Sequence, residues 1–252
     1  MIVIKSDDDI AMMRIPAKVT AEILRDLRSY IQPGLSTKDI DDFIDRRIAE
    51  AGMVSGFKGY GGFPGCACVS PNEVVVHGIP SRNIVLKEGD IVSVDAGAIC
   101  NGWNSDMART YPVGKISEEA AKLIETTRAS FFAGLEYCRA GNYLSDISHA
   151  VQQRAEADGF GVIRDYVGHG VGRELHEDPS VPNYGRPGRG PKLRKGMVLA
   201  IEPMISQGTY EVDVLDDGWT AVTRDRKLAA HYENTVVITD GDPEVITLLD
   251  GE

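Results

Sequence analysis

Apolar residues recur at helical spacing in four stretches of the chain, and short apolar runs follow each pair of stretches. The spacing predicts long helices over residues 10–31 and 117–139, each followed by a shorter helix within 33–52 or 140–159. Pro16 interrupts the first pattern. Because an interior proline costs about 3 kcal/mol, we expect a kink or the start of the helix near it. The order of helices and strands indicates an α+β fold, with helices packed on one face of a curved antiparallel sheet.

An internal repeat relates two halves of the chain at an offset of 107 residues. The same shift superposes a helix and its final glycine in the first half on a helix and glycine in the second half. Farther along, it also superposes two strands that each end in an acid. Because the register persists from helix to strand, we expect a single domain, residues 1–252, with pseudo-two-fold halves at about 1–114 and 115–252. The matched segments are PGLSTKDIDDFIDRRIAEAG (33–52) with AGNYLSDISHAVQQRAEADG (140–159), and KEGDIVSVD (87–95) with RKGMVLAIE (194–202).

Each half presents one histidine and then two acids, and each acid lies where an apolar strand pattern begins or ends. A single acid beside a turn is most often a turn-forming residue. The repeat favours a shared role instead, because it places different acids at equivalent points of the two halves. The residues are His77, Asp95 and Asp106 in the first half, and His169, Glu202 and Glu233 in the second.

The two acids of the first half point to a metal centre. Asp95 and Asp106 flank the turn-rich sequence GAICNGWNS, which predicts a hairpin centred between residues 100 and 101 with the two acids opposite each other. Like charges so placed are destabilising unless they are neutralised, and four converging carboxylates raise one another's pKa values. Two divalent cations balance four carboxylates and, with His169 as a fifth ligand, generate hydroxide at neutral pH. The predicted chemistry is hydrolysis.

Composition constrains the cellular location and the partners of the protein more than it constrains the reaction. Of 252 residues, 42% are hydrophobic and 26% are charged, which is typical of a globular protein with a full core. The formal charge of −11 argues against bulk attraction to nucleic acid or to a membrane surface. The start MIVIKSDDDI lacks the layout of a signal peptide, and four cysteines are too few for a disulfide scaffold. We therefore expect a cytoplasmic protein with reduced thiols.

Five longer motifs span nearly the whole chain: GFPGCACVSPNEVVVHGIP (62–80), DAGAICNGWNSDMART (95–110), GHGVGRELHEDP (168–179), AIEPMI (200–205) and HYENTVVIT (231–239). In this order and spacing they resemble the type I methionine aminopeptidases, a branch of the family with the pita-bread fold. The resemblance implies a metal-dependent aminopeptidase that removes the initiator methionine from nascent proteins when the second residue is small.

The resemblance also implies how two divalent metal ions would be held. Asp95 would chelate one ion, and Asp106 would bridge both. His169 and Glu202 would bind the other ion, Glu233 would bridge, and Glu202 would also shuttle the proton from the attacking water. Four carboxylates and one imidazole are compatible with Mn(II), Fe(II), Co(II) or Zn(II).

Two further histidines and a pocket follow from the resemblance. His77, in VVVHGIP, corresponds to the histidine near the scissile nitrogen, and His176, in RELHEDP, to the one that hydrogen-bonds the substrate carbonyl. From the residues alone, a structural role is as well supported as a catalytic one for each of these histidines. For Cys68 and Trp219, the alternative to a place in the pocket is ordinary core packing. Leu175 stands where many relatives carry phenylalanine. The implied methionine pocket comprises Tyr60, Phe63, Cys68, His77, Leu175, His176 and Trp219.

Three features remain open at this point. His231 lies two residues before Glu233, where strand alternation points both to one face, so it either supports the metal site or is a solvated edge histidine. The stretch GRPGRGPKLRKG (185–196) has five basic residues and no acid, and it is either a ribosome-facing patch or a solvated loop. His149 is predicted on the exposed side of a helix without a role.

Two alternative functions share part of this pattern. One is an Xaa-Pro peptidase of the same fold, but those usually carry a separate N-terminal domain for which this chain has no room. The other is a non-catalytic binding module, against which all five ligand positions hold competent residues. The expected partners are peptides with N-terminal methionine and nascent chains, with transient ribosome contact left open, no specific nucleic acid, no membrane and a monomeric protein.

Overall fold

The structure, a computed structural model, describes residues 1–249, and four α-helices pack against antiparallel sheets within that range. The helices are α1 (Asp7–Tyr30), α2 (Thr37–Glu50), α3 (Glu118–Leu135) and α4 (Leu144–Ala157), and a short 3-10 turn spans Tyr60–Gly62. The strands are β1 (Val54–Ser55), β2 (Ala67–Pro71), β3 (Val74–Val76), β4 (Ile91–Ala96), β5 (Ala98–Cys100), β6 (Trp103–Asn104), β7 (Met107–Pro112), β8 (Gly161–Val162), β9 (Gly168–Gly170), β10 (Glu177–Val181), β11 (Val198–Ile201), β12 (Met204–Ser206), β13 (Val212–Val214), β14 (Ala221–Thr223), β15 (Ala229–His231), β16 (Glu233–Val237) and β17 (Glu244–Val245).

Local capping sets where the first two helices begin. The Ser6 hydroxyl accepts a hydrogen bond from the backbone N–H of Asp9, and the Asp9 carboxylate accepts one from the backbone N–H of Ser6. Ser36 and Asp39 repeat this capping box at the start of α2. Helix α1 therefore begins before Pro16 and continues through it. The expectation that the helix starts near Pro16 is wrong, because the cap at Ser6 satisfies the first backbone donors earlier in the chain.

The helices follow the offset of the sequence repeat. Helices α2 and α4 each have 14 residues and begin 107 positions apart. Both end at a glycine with a left-handed backbone, Gly52 with φ of 71° and Gly159 with φ of 86°, as the predicted C-caps require. The equal lengths and endings agree with duplicated halves, and the division into halves stays a prediction.

An eight-stranded antiparallel sheet forms the centre of the protein. Seven strands follow the order β10-β9-β11-β16-β7-β4-β2, and β17 pairs beside β16. Leu24 of α1 and Ile44 of α2 share one buried apolar cluster with residues of β4, and Ile147 of α4 shares another with Leu199 of β11. Removal of this apolar surface from water stabilises the layers at about 25 cal/mol per Å². The predicted α+β architecture, with helices packed on an antiparallel sheet, is confirmed.

The register of the β4–β7 hairpin differs from the prediction. Ile99 pairs with Asn104 and Asp95 pairs with Ala108, so the hairpin is centred between residues 101 and 102. The Asn101–Gly102 turn sets this register because both residues adopt positive φ, 51° and 74°, as a tight two-residue turn requires. Asp95 and Asp106 are therefore diagonal neighbours and not directly opposite. A shift of two residues preserves the face of every side chain, so both acids still point to the same side.

A buried ion pair attaches the N-terminal segment to the β9–β10 connection. Lys5 Nζ lies 2.6 Å from Glu177 Oε2, and the two side chains are only 2% and 10% exposed. The backbone N–H of Lys5 also donates to the carbonyl of Gly196 at 2.8 Å. Glu177 directly follows His176, so this ion pair restrains the segment that carries one of the predicted site histidines.

Two further expectations concern cysteines and membranes. The four cysteines, all within the described range, carry free thiols, as expected. None of the helices in residues 1–249 combines the length and the apolar character needed to cross a membrane.

Substitution of Lys5 by methionine is expected to lower the free energy of unfolding by about 3–5 kcal/mol, because it leaves the buried Glu177 carboxylate without its partner. The measurement is urea unfolding followed by circular dichroism. The matched control is Lys195→Met, which removes an exposed pair with Asp240 and should change stability by less than about 1 kcal/mol. Equal effects of the two substitutions would contradict the importance of burial, and Lys5→Met/Glu177→Met should recover most of the loss.

Candidate metal centre

The five predicted ligands come from five neighbouring strands of the central sheet. Two of the acids lie at strand ends in the first half, and the other residues come from the second half. Because β9, β11, β16, β7 and β4 are consecutive in the sheet, their ends bring these side chains together. Asp95 is in β4, Asp106 directly precedes β7, His169 is in β9, Glu202 directly follows β11, and Glu233 begins β16.

The side chains meet at contact distance. His169 Nε2 lies 3.5 Å from Asp106 Oδ2 and 3.6 Å from Glu202 Oε1. One ligand atom from each of Asp106, His169 and Glu233 lies within 4.8 Å of the other two. The Asp95 carboxyl group contacts those of Asp106 and Glu233. The structure thus brings together all five residues that the sequence selects.

Burial of this cluster disfavours negative charge, as expected. Desolvation raises the pKa of Asp95 to about 7, with the neighbouring Glu202 adding to the effect. Desolvation also holds the pKa values of Asp106, Glu202 and Glu233 well above their usual range, and nearby carboxylates add to it for Asp106 and Glu233. The four acids therefore need a positive counter-charge to be ionised together at neutral pH.

The donor atoms fit a divalent metal. Asp95 Oδ1 and Asp106 Oδ1 are buried without a hydrogen-bond partner in the described part of the chain, and buried polar atoms seldom remain unpaired. Burial lowers the pKa of His169 to about 3, so its imidazole is neutral. Its Nδ1 donates to the carbonyl of Gly170 at 2.9 Å, which leaves the Nε2 lone pair facing the acids. Oxygen atoms and one imidazole nitrogen thus converge on a common point.

His231 is part of this environment, and of the two alternatives left open for it the solvated edge histidine is wrong. Its side chain is 2% exposed, and Nε2 lies 3.5 Å from Glu202 Oε2 and 4.0 Å from Glu233 Oε2. Burial lowers its pKa to about 4. The Thr110 hydroxyl accepts from the backbone N–H of His231 and donates to its carbonyl, which attaches β15 to β7. Neighbouring strands bury this position, although the alternating pattern of the sequence is equally consistent with an exposed sheet edge.

A cavity of about 220 Å³ opens onto the acids. Phe63, Cys68 and Leu175 form an apolar cluster beside it, with Trp219 packed against the cluster. The structure places every predicted pocket residue in the lining: Tyr60, Phe63, Cys68, His77, Leu175, His176 and Trp219. The cavity is therefore apolar on one side and acidic on the other.

The sequence does not predict five of the lining residues. For four of them the available signal is closeness to predicted site residues: Gly61 follows Tyr60, Val76 precedes His77, and Tyr166 and Val167 lie just before the motif that contains His169. Phe57 has a weaker signal, since it lies in the aromatic and glycine-rich run before the first long motif. The five residues are Phe57, Gly61, Val76, Tyr166 and Val167.

The two predicted catalytic histidines both line the cavity and have different neighbours. His77 adopts a φ of 59°, which costs a non-glycine residue about 1 kcal/mol or more, and its ring contacts Tyr166 edge-on at 5.2 Å. Burial lowers the pKa of His77 to about 4. The ring of His176 lies 4.1 Å from that of His169, and its Nδ1 is 2.8 Å from the Tyr60 hydroxyl. Both imidazoles thus border the space between the apolar wall and the acids.

The family model of metallopeptidase family M24 matches residues 11–240. This chain belongs to metallopeptidase family M24. Its relatives include the methionine aminopeptidase of Clostridium acetobutylicum, 57% identical over 98% of this chain and 99% of that protein. Methionine aminopeptidase 1 of Bacillus subtilis is 48% identical over 98% of this chain and 99% of its own length. The resemblance to the type I methionine aminopeptidases is confirmed.

Solved structures agree with the fold. A methionine aminopeptidase from Thermotoga maritima is 48% identical and superposes with a TM-score of 0.97 over 99% of this chain and 100% of that chain. A prolidase from Pyrococcus furiosus superposes with a TM-score of 0.78 over 98% of this chain and 66% of its own, at 21% identity, and it shows the fold alone. The pita-bread fold is confirmed, and the family together with the acidic cluster supports use of a divalent metal.

Without metal, the protein is expected to lose stability as the pH rises from about 6.5 to 8. The raised pKa values of the four clustered acids, to about 7 for Asp95, mean that the folded protein binds more protons than the unfolded chain in this window, so stability falls with rising pH. Below about pH 6.5 the lowered pKa values of the buried histidines His77, His169 and His231 act in the opposite direction. A tenfold change in proton affinity corresponds to about 1.4 kcal/mol, and we expect at least this loss. Urea unfolding in the presence of a chelator measures it.

The control variant for this measurement is Asp106→Asn, which removes one buried acid from the cluster. It should make stability less dependent on pH, whereas Asp240→Asn, at an exposed acid, should leave the dependence unchanged. A pH dependence that survives Asp106→Asn at full size would show that other groups cause it.

Proposed function

We propose that this protein is a metal-dependent methionine aminopeptidase that hydrolytically removes the initiator methionine from nascent proteins when the second residue is small. One observation carries the proposal: an apolar cavity of side-chain size opens onto a buried cluster of four acids and a histidine. The cavity suits an unbranched thioether side chain, and the acids suit divalent metal ions at which a free α-amine can dock. The near-full-length relatives named above support the same activity.

The five clustered residues are proposed to hold two divalent metal ions. Asp95 would chelate one ion, His169 and Glu202 would bind the other, and Asp106 and Glu233 would bridge them. When bound, such ions polarise the scissile carbonyl and lower the pKa of water to near neutrality. Mn(II), Fe(II), Co(II) and Zn(II) all suit this mixture of oxygen and imidazole ligands.

The chain's own groups are proposed to manage protons and orientation. Glu202 accepts the proton of the attacking water, for which its raised pKa suits it. His176 donates a hydrogen bond to the substrate carbonyl oxygen and stabilises the charge that develops there. His77 lies near the scissile nitrogen, with its ring held between Tyr166 and Trp219. The low pKa of His77 keeps this imidazole neutral at physiological pH.

The apolar side of the cavity is proposed to select methionine. Phe63 and Trp219 present aromatic rings 5.2 Å apart in an edge arrangement, and Cys68 supplies a soft thiol. Sulfur makes favourable contacts with such groups. Leu175 packs with Phe63 and Cys68 in the apolar cluster at this wall. Burial of the methionine side chain contributes about 1.5–3 kcal/mol.

The proposal also covers the ribosome contact, the oligomeric state and the location of the enzyme. Nascent chains emerge at the ribosome, whose surface is polyanionic, and the segment 185–196 concentrates five basic residues in a protein of net charge −11. Its arginines are exposed. We include transient ribosome contact through this segment, a monomeric state and a cytoplasmic location in the proposal.

Purified protein should release methionine from Met-Ala-Ser after treatment with chelator and reconstitution with Mn(II) or Co(II), and Asp106→Asn should lose at least about a thousandfold in kcat/KM, because that residue would bridge both ions. The measurement is chromatography of the products. The matched control is Asp213→Asn, which changes an exposed acid on β13 and should retain activity.

The assay separates the alternatives. An Xaa-Pro peptide cut faster than Met-Ala-Ser would favour an Xaa-Pro peptidase of the same fold. Metal binding without release from either peptide would favour a non-catalytic module. Lack of any metal binding would contradict the assignment of the acids as ligands.

The second residue of the substrate should control the rate. Met-Ala-Ser and Met-Gly-Ser should be cut, whereas Met-Lys-Ser and Met-Arg-Ser should react at least about a hundredfold more slowly, because the second side chain must lie beside the metal centre and His77. Comparison of kcat/KM values for this peptide series measures the preference, and equal values would contradict it.

A further inference from the structure

Two adjacent histidines of the site have different hydrogen-bond partners. His169 donates from Nδ1 to a backbone carbonyl, that of Gly170, which can only accept. Its proton is therefore on Nδ1, and Nε2 is free to act as a ligand. His176, whose ring lies 4.1 Å away, instead has its Nδ1 2.8 Å from a hydroxyl group, that of Tyr60. A hydroxyl can donate or accept, so the proton position on His176 depends on what Tyr60 does.

The proposed reaction requires one of the two tautomers. A neutral imidazole carries one N–H. His176 can therefore donate to a substrate carbonyl only if this N–H is on the ring nitrogen that Tyr60 does not contact. Nε2 of His176 has no hydrogen-bond partner elsewhere in residues 1–249, so it is available for the substrate. A proton on Nε2 makes Nδ1 an acceptor, and the Tyr60 hydroxyl must then be the donor.

We propose that Tyr60 is a positioning residue whose hydroxyl donates to Nδ1 of His176 and thereby keeps the imidazole proton on Nε2, facing the substrate carbonyl. This inference rests on the proposed function for the identity of the acceptor. It gives the two neighbouring histidines opposite tautomers: the proton is on Nδ1 in His169 and on Nε2 in His176. The His169 ring thus offers a lone pair to a metal ion, and the His176 ring offers an N–H to the substrate carbonyl.

Other contacts fix the backbone of the His176 segment and leave the ring as the variable part. The Asn104 side-chain amide donates to the carbonyls of Gly172 and Arg173, and Glu177 is held by Lys5. Tyr60 comes from the short 3-10 turn, distant from His176 in the chain, and its ring lies 5.1 Å from the imidazole at an angle of 39°. The hydroxyl is therefore the group that distinguishes the two ring nitrogens.

The position of this hydrogen bond explains how it would act during the reaction. Tyr60 is 42% exposed at the mouth of the cavity, so water competes for the bond before substrate binds. A bound methionine side chain would exclude that water and strengthen the bond, because hydrogen bonds gain strength in a less polar environment. The tautomer would be most strictly set when the substrate carbonyl is in place.

Ring nitrogen NMR tests the tautomer without any assay of activity. The full chain, with ¹⁵N-labelled histidine and in chelator, has only five imidazoles to resolve, and the His176→Gln variant assigns one of them. Long-range ¹⁵N–¹H spectra distinguish a protonated from an unprotonated ring nitrogen. We expect His176 to carry its proton on Nε2 in the wild type and to populate the Nδ1 form in Tyr60→Phe.

A matched control is available in the same cavity. Tyr166→Phe also removes one hydroxyl from the lining, and Tyr166 contacts His77 and not His176, so it should leave the His176 signals unchanged. A wild-type His176 with its proton on Nδ1, or a tautomer unaffected by Tyr60→Phe, would overturn the proposal.

Kinetics test whether the tautomer matters for the reaction. The phenylalanine ring preserves the wall of the pocket, so Tyr60→Phe should lower kcat for Met-Ala-Ser about tenfold, the size of one hydrogen bond, and change KM by less than about twofold. Tyr137→Phe, at an exposed tyrosine outside the cavity lining, should change neither.

A shifted tautomer with unchanged kcat would overturn the proposal that the tautomer of His176 matters for catalysis. Failure of the wild type to release methionine would contradict the proposed function, whereas the spectra would still decide the tautomer.

Discussion

The cost of ionising four buried and adjacent carboxyl groups is the constraint on which the rest of this structure depends. Desolvation holds their pKa values high, and neighbouring carboxylates add to it for Asp95, Asp106 and Glu233, so ionisation of the cluster is unfavourable until a cation is bound. Backbone hydrogen bonds between five consecutive strands hold the acids together against this cost by fixing where each acid leaves the sheet. The helices on the sheet contribute the apolar burial that keeps those strands in register.

The proposed metal site draws residues from both predicted halves of the chain. Asp95 and Asp106 come from β4 and the start of β7, while the other proposed ligands come from β9, β11 and β16. The predicted halves meet at the β7–β16 pairing, where Glu233 lies opposite Ala108. Neither predicted half alone supplies all five proposed ligands. Relief of charge repulsion therefore favours close association of the halves, which links the chemistry of the site to the integrity of the sheet.

Sequence reasoning predicted the fold to the extent that local signals determine it. The shorter helices and their terminal glycines followed from periodicity and the repeat, and the longer helices from periodicity, because caps and apolar spacing are local. The hairpin register was wrong by two residues because the Asn101–Gly102 turn, and not the symmetry between Asp95 and Asp106, sets the pairing. His231 remained open because its burial depends on strands distant in sequence. Tyr166 was missed because its closeness to His169 in the chain does not by itself show that its side chain reaches the cavity.

Selectivity in such a site cannot come from the apolar wall alone. One methylene group in a hydrophobic pocket provides about 1–3 kcal/mol of discrimination, so Phe63, Leu175 and Trp219 can separate methionine from near analogues only modestly. The remaining selection must act where the substrate backbone meets polar groups. In the proposed function, a free α-amine docks at the metal centre and the substrate carbonyl accepts from His176, so a peptide without a terminal amine would lose the contact that places it. The proposed site would therefore act at chain ends and not at internal peptide bonds.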